Sequence, residues 1–354
     1  TFDILANFPY NEFKSYSQSR KIIAVFDYFK DIIAKIGNEQ SGGMSFGNFD
    51  IDLAIILKNL DIEFTENNKD LIRCSISSLI HWCNNSHERM GQVSYYVTLN
   101  IGLANNLESR EICAMIIDEF NNSPWYVFKP NIVFKVRNRI NEDLLEKALL
   151  CSAKKMIPTY LLCDSITNMT FNPFEIAIMG CRTRVMQNEC GKSTSIGRGN
   201  IAYVSINLPR IALETVSKFK AMQPDEVVSQ FKKKWITIAS VVKDILIDRY
   251  TKLISLDKED FPNNLSRNLW IKDFSKADNL EQIFRNGTLS IGFIGLSEAV
   301  EIIIGNKFYK NDKDYEIAIN IVKYMREFVD NLRSKYKLNF TLLGTSGEYI
   351  SGRF

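Results

Sequence analysis

Along nearly the whole chain, short segments rich in β-branched and aromatic residues alternate with longer segments of helical periodicity. No other feature restricts the fold as tightly. Residues 21–37 repeat apolar side chains at helical spacing, Gly42-Gly43 interrupts them, and 42–57 lead into a further helix. Residues 68–84 read as helix, 91–103 as strand, 108–120 as helix, 131–136 as strand, 141–155 as helix and 159–164 as strand. Beyond them, 201–208 form a strand, 211–222 and 225–256 helices, and 288–294 a short apolar segment followed by helix to 304. Residues 314–335 are a long helix and 340–343 a last strand. Strands separated by helices are joined by crossovers, so the expectation is an α/β fold with a largely parallel sheet. No linker, repeat or low-complexity stretch divides the chain, which reads as one domain over 1–354.

Composition narrows the function. Of 354 residues, 45% are hydrophobic and 24% charged, and the net charge of +3 is spread along the chain. No basic arm points to nucleic acid or to a membrane. Lys232-Lys233-Lys234 reads as a solvated helix face. No apolar run reaches membrane-spanning length, and the opening T-F-D-I-L-A-N-F is not a signal peptide. The seven cysteines form no Cys-x-x-Cys pair, which suits a reducing cytoplasm and gives no zinc site. The two histidines, His81 and His87, are six apart and fall on different faces of a helix, so they do not share a metal.

The segment 178–210 carries the chemistry. Cys181 follows a glycine, a polar Gly-rich loop comes next, and an alternating strand then runs into Pro209. Together with G-G-M-S-F-G-N-F-D (42–50), G-Q-V-S-Y-Y-V-T-L-N-I-G (91–102), A-K-K-M-I-P-T-Y (153–160), M-G-C-R-T-R-V (179–185), G-R-G-N-I-A-Y-V-S-I-N-L-P-R-I-A-L (197–213), G-T-L-S-I-G-F-I-G-L-S-E-A (287–299) and L-N-F-T-L-L-G-T-S-G-E-Y-I-S-G-R-F (338–354), it resembles the anaerobic (class III) ribonucleotide reductases of the glycyl radical enzyme superfamily. The resemblance runs from about residue 40 to the end. It implies an α/β barrel of ten strands in two five-stranded halves, with a central finger loop whose tip bears Cys181. A sheet closed around a loop gives a dry cavity suited to radical chemistry.

The same resemblance assigns roles. Cys181 would carry a thiyl radical that abstracts hydrogen from the ribose C3′, and Gly180 lets the backbone turn there. Met179 would lie beside it and help in reduction. Asn200, or else Asn207, would hydrogen-bond the 2′-hydroxyl or formate. Glu348 stands where the family has the glutamate of T-P-A-E, here Thr345-Ser346-Gly347-Glu348, and would be a general base near the 3′-hydroxyl. Thr345, Ser346 and Gly347 would offer backbone N–H groups to phosphate, and Arg353 a charge-assisted bond. Taken singly these residues have plainer readings. A buried cysteine or methionine fills a core, a buried asparagine finds partners anyway, and the sequence at 345–347 suits an ordinary turn.

The chain departs from the family pattern in several places. The sequence ends at S-G-R-F, before a glycyl-radical loop and four-cysteine zinc module, and has no N-terminal ATP cone. The partner thiol, which the family carries on the first barrel strand, is looked for near G-Q-V. Met90 stands there, and the nearest cysteine is Cys83 in a helical stretch. A fragment, one half of a split enzyme, or a paralogue that has lost the reaction would each fit. The first expectation is the catalytic barrel of an anaerobic ribonucleoside-triphosphate reductase, converting NTP to dNTP in the cytoplasm. Formate would be the reductant. The glycyl radical would come from an absent segment or a separate polypeptide, through an iron–sulfur activating enzyme that uses S-adenosylmethionine. The protein would be a homodimer and would bind no cofactor of its own. The rival expectations are an inactive nucleotide-binding paralogue or regulator, and a glycyl radical enzyme acting on another substrate.

Overall fold

A computed structural model describes residues 4–5, 8–40, 42–84, 96–180, 183–191, 193–219, 223–267, 269–270 and 279–347, with the backbone alone at 88–89 and 93–94. The chain gathers into two compact units. One holds 1–188, 192–199 and 257–278, and the other 189–191, 200–256 and 279–354.

The first unit is built on four parallel strands in sequential order: β1 (Met44–Phe46), β2 (Val97–Ile101), β3 (Asn131–Val136) and β4 (Thr159–Leu162). Helices α1 (Gln18–Glu39), α2 (Phe49–Asn59), α3 (Glu66–Asn84), α4 (Leu107–Asn122) and α5 (Glu142–Lys155) precede or connect them. Strand residues alternate between faces. Phe46, Val97, Leu99, Ile101, Ile132 and Phe134 point to the helices and join one large core with Phe26, Phe29 and Ile116. Phe29, Phe46 and Phe49 meet edge-on or tilted, with ring centroids 5.3 to 6.1 Å apart. Residues 257–267 return to this unit, where the Glu39 carboxylate accepts from both the backbone and the side-chain amides of Asn263 and Asn264 at 2.6–2.8 Å.

The opposite face of this sheet is covered by an antiparallel hairpin, β5 (Ala177–Met179) and β6 (Thr183–Val185), pairing Ala177 with Val185 and Met179 with Thr183. Val133, Leu161 and Cys163 from the sheet and Ile176 beside the hairpin make a small second core there.

The second unit has three parallel strands in the order β9 (Asn339–Gly344), β8 (Thr288–Ile294), β7 (Asn200–Asn207). Its helices are α6 (Leu208–Lys218), α7 (Pro224–Ile254), α8 (Leu296–Ile304) and α9 (Asp312–Tyr336). Ala202, Ile206, Leu289, Ile291 and Phe340 face the helices around fully buried Trp235.

The alternation of strands and helices therefore does give parallel sheets. Where the resemblance implies five strands to each half, the described residues place four and three in the two parallel sheets. Three short strands, β1, β5 and β6, were not legible as such. The segment expected as strand over 91–103 contributes Val97–Ile101 to the sheet. Among the described residues the first strand of that sheet is β1, on which Ser45 stands, whereas Met90, Gly91 and Gln92 lie outside the described residues. Helix α6 begins at Leu208 rather than 211, because Asn207 caps it and Pro209 fits its first turn. Among the described residues no helix is long and apolar enough to cross a membrane.

Candidate active site

The polar face of the first sheet holds the hairpin. Ser45, Thr98 and Asn131 are register partners on three adjacent strands, so their side chains form one row. Asn100 lies two residues further along the same face of β2. Ser45, Thr98 and Asn100 are essentially inaccessible to solvent. A buried polar side chain needs partners, and the hairpin backbone provides them. Asn100 Oδ1 accepts from the Ile178 amide at 2.8 Å, while its Nδ2 donates to Ile178 O and Phe46 O at 3.0 Å and to Ser45 Oγ at 3.1 Å. Ser45 Oγ donates to Ile178 O at 2.8 Å. Thr98 Oγ1 and Asn131 Nδ2 both donate to the carbonyl of Gly180, at 3.0 and 2.7 Å. Gly180 itself has φ +69°, the left-handed region that a side chain disfavours.

The base of the hairpin is tied down by ions. Lys135, on β3 and buried, donates to Asn48 Oδ1 at 2.9 Å and to the Pro173 carbonyl at 3.1 Å. Burial pushes its ammonium down to about 8, against the pull of nearby acids. Asp50, at the start of α2 and wholly buried, accepts from the amides of Gly102 at 2.8 Å and Ile51 at 3.0 Å. Burial pushes its carboxyl up to about 6, opposed by those amides and by Lys135. Burial also raises the Cys113 thiol beside Asp50. Glu175 Oε2 accepts from Ser195 N at 2.6 Å, Ser195 Oγ at 2.8 Å and Thr194 Oγ1 at 3.2 Å, which fixes the Gly-rich loop to the hairpin entry.

The second unit repeats the division into an apolar and a polar face. Tyr203, Ser205, Asn207, Ser290, Gly292 and Thr341 alternate away from its helices, and Thr345 follows β9 in the same alternation. Ser205 Oγ and Thr345 Oγ1 share a hydrogen bond of 2.6 Å, Ser290 Oγ and Thr341 Oγ1 one of 3.0 Å. The carboxyl ends of the strands converge on the turn Thr345–Gly347 and on the starts of α6 and α8. In open parallel sheets this is where ligands collect.

Four of the expected residues lie together in this unit. Asn207 pairs in register with Ile294, and Phe293 with Gly344, so Asn207, Thr345, Ser346 and Gly347 share one end of the sheet. Asn200 is exposed at the other end of β7, seven residues from Asn207 and so roughly 23 Å away at strand rise. Two details were not anticipated. The Asn207 side-chain oxygen accepts from the Arg210 amide at 3.0 Å as a helix cap. The Thr345 amide donates to Phe293 O at 2.9 Å, so this amide is already used within the sheet. Met179 ends β5, half-buried, in the first unit. Cys181, Glu348 and Arg353 lie outside the described residues. Sequence reasoning missed Ser45, Thr98, Asn100, Asn131 and Lys135.

Comparison with known proteins identifies the family. The sequence model of the family described as "Anaerobic ribonucleoside-triphosphate reductase" matches residues 9–354. A protein of that name from Escherichia coli is 29% identical over 313 residues, 83% of this chain and 42% of its own length. One from Haemophilus influenzae is 28% identical over 296 residues, 79% of this chain and 40% of its own. The chain thus spans about two fifths of these curated relatives. The solved anaerobic ribonucleotide reductase from Thermotoga maritima with citrate in the active site shares the fold, with a TM-score of 0.59 at 14% identity, covering 93% of this chain and 59% of that one. The same enzyme in complex with dATP and CTP gives 0.58 at 14% identity, covering 93% and 55%.

Proposed function

The chain belongs to the anaerobic ribonucleoside-triphosphate reductase family, and we propose that it supplies the reactive thiol and the nucleotide-holding turn for reducing NTP to dNTP. One observation carries this reading most directly. The backbone immediately before Cys181 turns through a left-handed glycine and is gripped by two polar side chains, buried Thr98 and half-buried Asn131. Such pre-organisation is needed to present one sulfur to one carbon.

Cys181 would take the hydrogen from ribose C3′ and return it at the end. Glu348 would accept the 3′-hydroxyl proton, and the 2′-hydroxyl, taking up a proton from solvent, would leave as water. The 2′-hydroxyl would be oriented by an asparagine amide, that of Asn200 or of Asn207. Formate would be oxidised to carbon dioxide, with the Met179 thioether lining its approach. Its hydrogen atom would complete the C2′–H bond, and its remaining electron, with a proton, would reduce the 3′-ketone to the C3′ radical that takes back the Cys181 hydrogen. Ser346 and Gly347 amides would meet the triphosphate after Thr345, with Arg353 adding charge. A glycyl radical, formed by an S-adenosylmethionine-dependent iron–sulfur activating enzyme, would supply the unpaired spin. Family habit supports a homodimer, and the unpaired spacing of the cysteines supports a cytoplasmic setting.

The test is dNTP formation from NTP and formate under strictly anaerobic conditions, with the glycyl-radical segment or polypeptide and the activating enzyme supplied. Cys181→Ala should abolish product while nucleotide binding persists. Undiminished dNTP formation by that variant would refute the reading.

A further inference from the structure

A feature of the first unit goes beyond the residues assigned above. Gly180 O accepts from two side chains at once, Thr98 Oγ1 at 3.0 Å and Asn131 Nδ2 at 2.7 Å. The two donors are direct register partners on β2 and β3, so they reach the carbonyl from one row of a rigid sheet. That carbonyl belongs to the peptide bond joining Gly180 to Cys181. A peptide unit is planar, so two bonds to its oxygen restrain how the Gly180 carbonyl group can turn. Two residues earlier, Asn100 and Ser45 hold both the amide and the carbonyl of Ile178. The chain thus approaches residue 181 with its last described peptide groups bonded to side chains of the sheet rather than only to strand neighbours. Thr98 is wholly inaccessible, and a hydroxyl in such a place has a cost unless it is used.

We propose that Thr98 and Asn131 are positioning residues for the Cys181 thiol. They act through the Gly180 carbonyl, and substrate is not their ligand. The proposal rests on the proposed function for its purpose, but its test does not depend on turnover. Cys181 reactivity would be governed by local opening of the hairpin tip, and removing one net hydrogen bond of ordinary strength shifts such an equilibrium about fivefold.

The 354-residue chain is treated with iodoacetamide, and alkylation of the peptide spanning Cys181 is followed by mass spectrometry, with exposed Cys74 as internal reference. Thr98→Val and Asn131→Asp should each speed Cys181 alkylation about fivefold relative to Cys74. The double variant should exceed either. Thr98→Ser keeps the hydroxyl and should behave as the parent. Thermal midpoints identify any variant whose whole fold has loosened, and the Val/Ser pair at position 98 then decides the matter alone. Rates within twofold of the parent in Thr98→Val and Asn131→Asp, at unchanged midpoint, overturn the clamp. Retained turnover in Cys181→Ala would instead sink the reductase reading and leave the alkylation result standing.

Discussion

The hydroxyls of Ser205 and Thr345 lie 2.6 Å apart across the sheet, over the position where Gly292 has no side chain. A Cβ at 292 would stand 2.6 Å from Ser205 Oγ and 2.8 Å from Thr345 Oγ1. Gly292→Ala should therefore break this bond and displace the start of the turn. Overpacking of this kind costs about 1–3 kcal/mol. Urea unfolding should show that loss, and Ser205→Ala placed in the same chain should recover part of it. An alanine variant as stable as the parent would contradict the geometry.

Asn100 is worth testing separately because it serves the hairpin stem from both sides. Asn100→Leu keeps the volume and leaves the Ile178 amide and carbonyl without this partner. Buried backbone groups without partners cost about 1–3 kcal/mol each. The expected result is a loss on the order of 3 kcal/mol, with limited proteolysis appearing first within 173–185. Cleavage elsewhere, with the hairpin still protected, would argue that Asn100 is not its anchor.

Gly180 presents a purely conformational case. Among the described residues a Cβ there would meet only the Tyr96 ring, at an ordinary 3.7 Å, so space is not the constraint. The φ of +69° is. Gly180→Ala should cost about 1–2 kcal/mol, and Gly180→Asn less, since asparagine tolerates this region better. Equal penalties for the two substitutions, read by thermal unfolding, would point to a steric cause instead.

The buried ions predict a pH signature. The folded Asp50 carboxyl is raised from 3.8 to about 6, so the native state binds more protons than the unfolded chain between those values. Its contribution to stability is present below about 4 and is lost as pH rises through 6. Lys135 is lowered from 10.5 to about 8, so the native state binds fewer protons there, and stability rises as pH climbs from 8 toward 10.5. This pair is therefore least favourable between 6 and 8. The Asp50 limb corresponds to roughly 3 kcal/mol. The difference in unfolding free energy between the parent and Asp50→Asn should shift by about that much across pH 4–6. A pH-independent difference would sink the assignment.

Much of this fold was legible. Residues 131–136 and 68–84 match their elements almost to the residue, because each is a long, strongly patterned segment bounded by turn residues. The three-residue strands could not be read, since three residues show no period. They exist because other elements meet them. A signal for the polar row was present nonetheless. In V-T-L-N-I, Thr98 and Asn100 alternate with apolar residues in a parallel strand, where both faces are usually apolar. Such an alternation marks a face that packs on something other than helices. Asn207 also carried a second legible meaning, because Asn-Leu-Pro is a helix-start signature as well as a ligand candidate. The segment 345–347 follows the last strand, as the sequence pattern suggests. What no pattern could tell was that the Thr345 amide closes the ladder with Phe293, a matter of register between strands more than fifty residues apart.

The Asn100–Ile178 pairing also sets a rule for length. Because one asparagine reads both the N–H and the C=O of a single residue, the stem cannot slide along the sheet by even one position without reversing which side chains point inward. Insertions and deletions between Pro173 and Gly180 should therefore be rejected, whatever their composition.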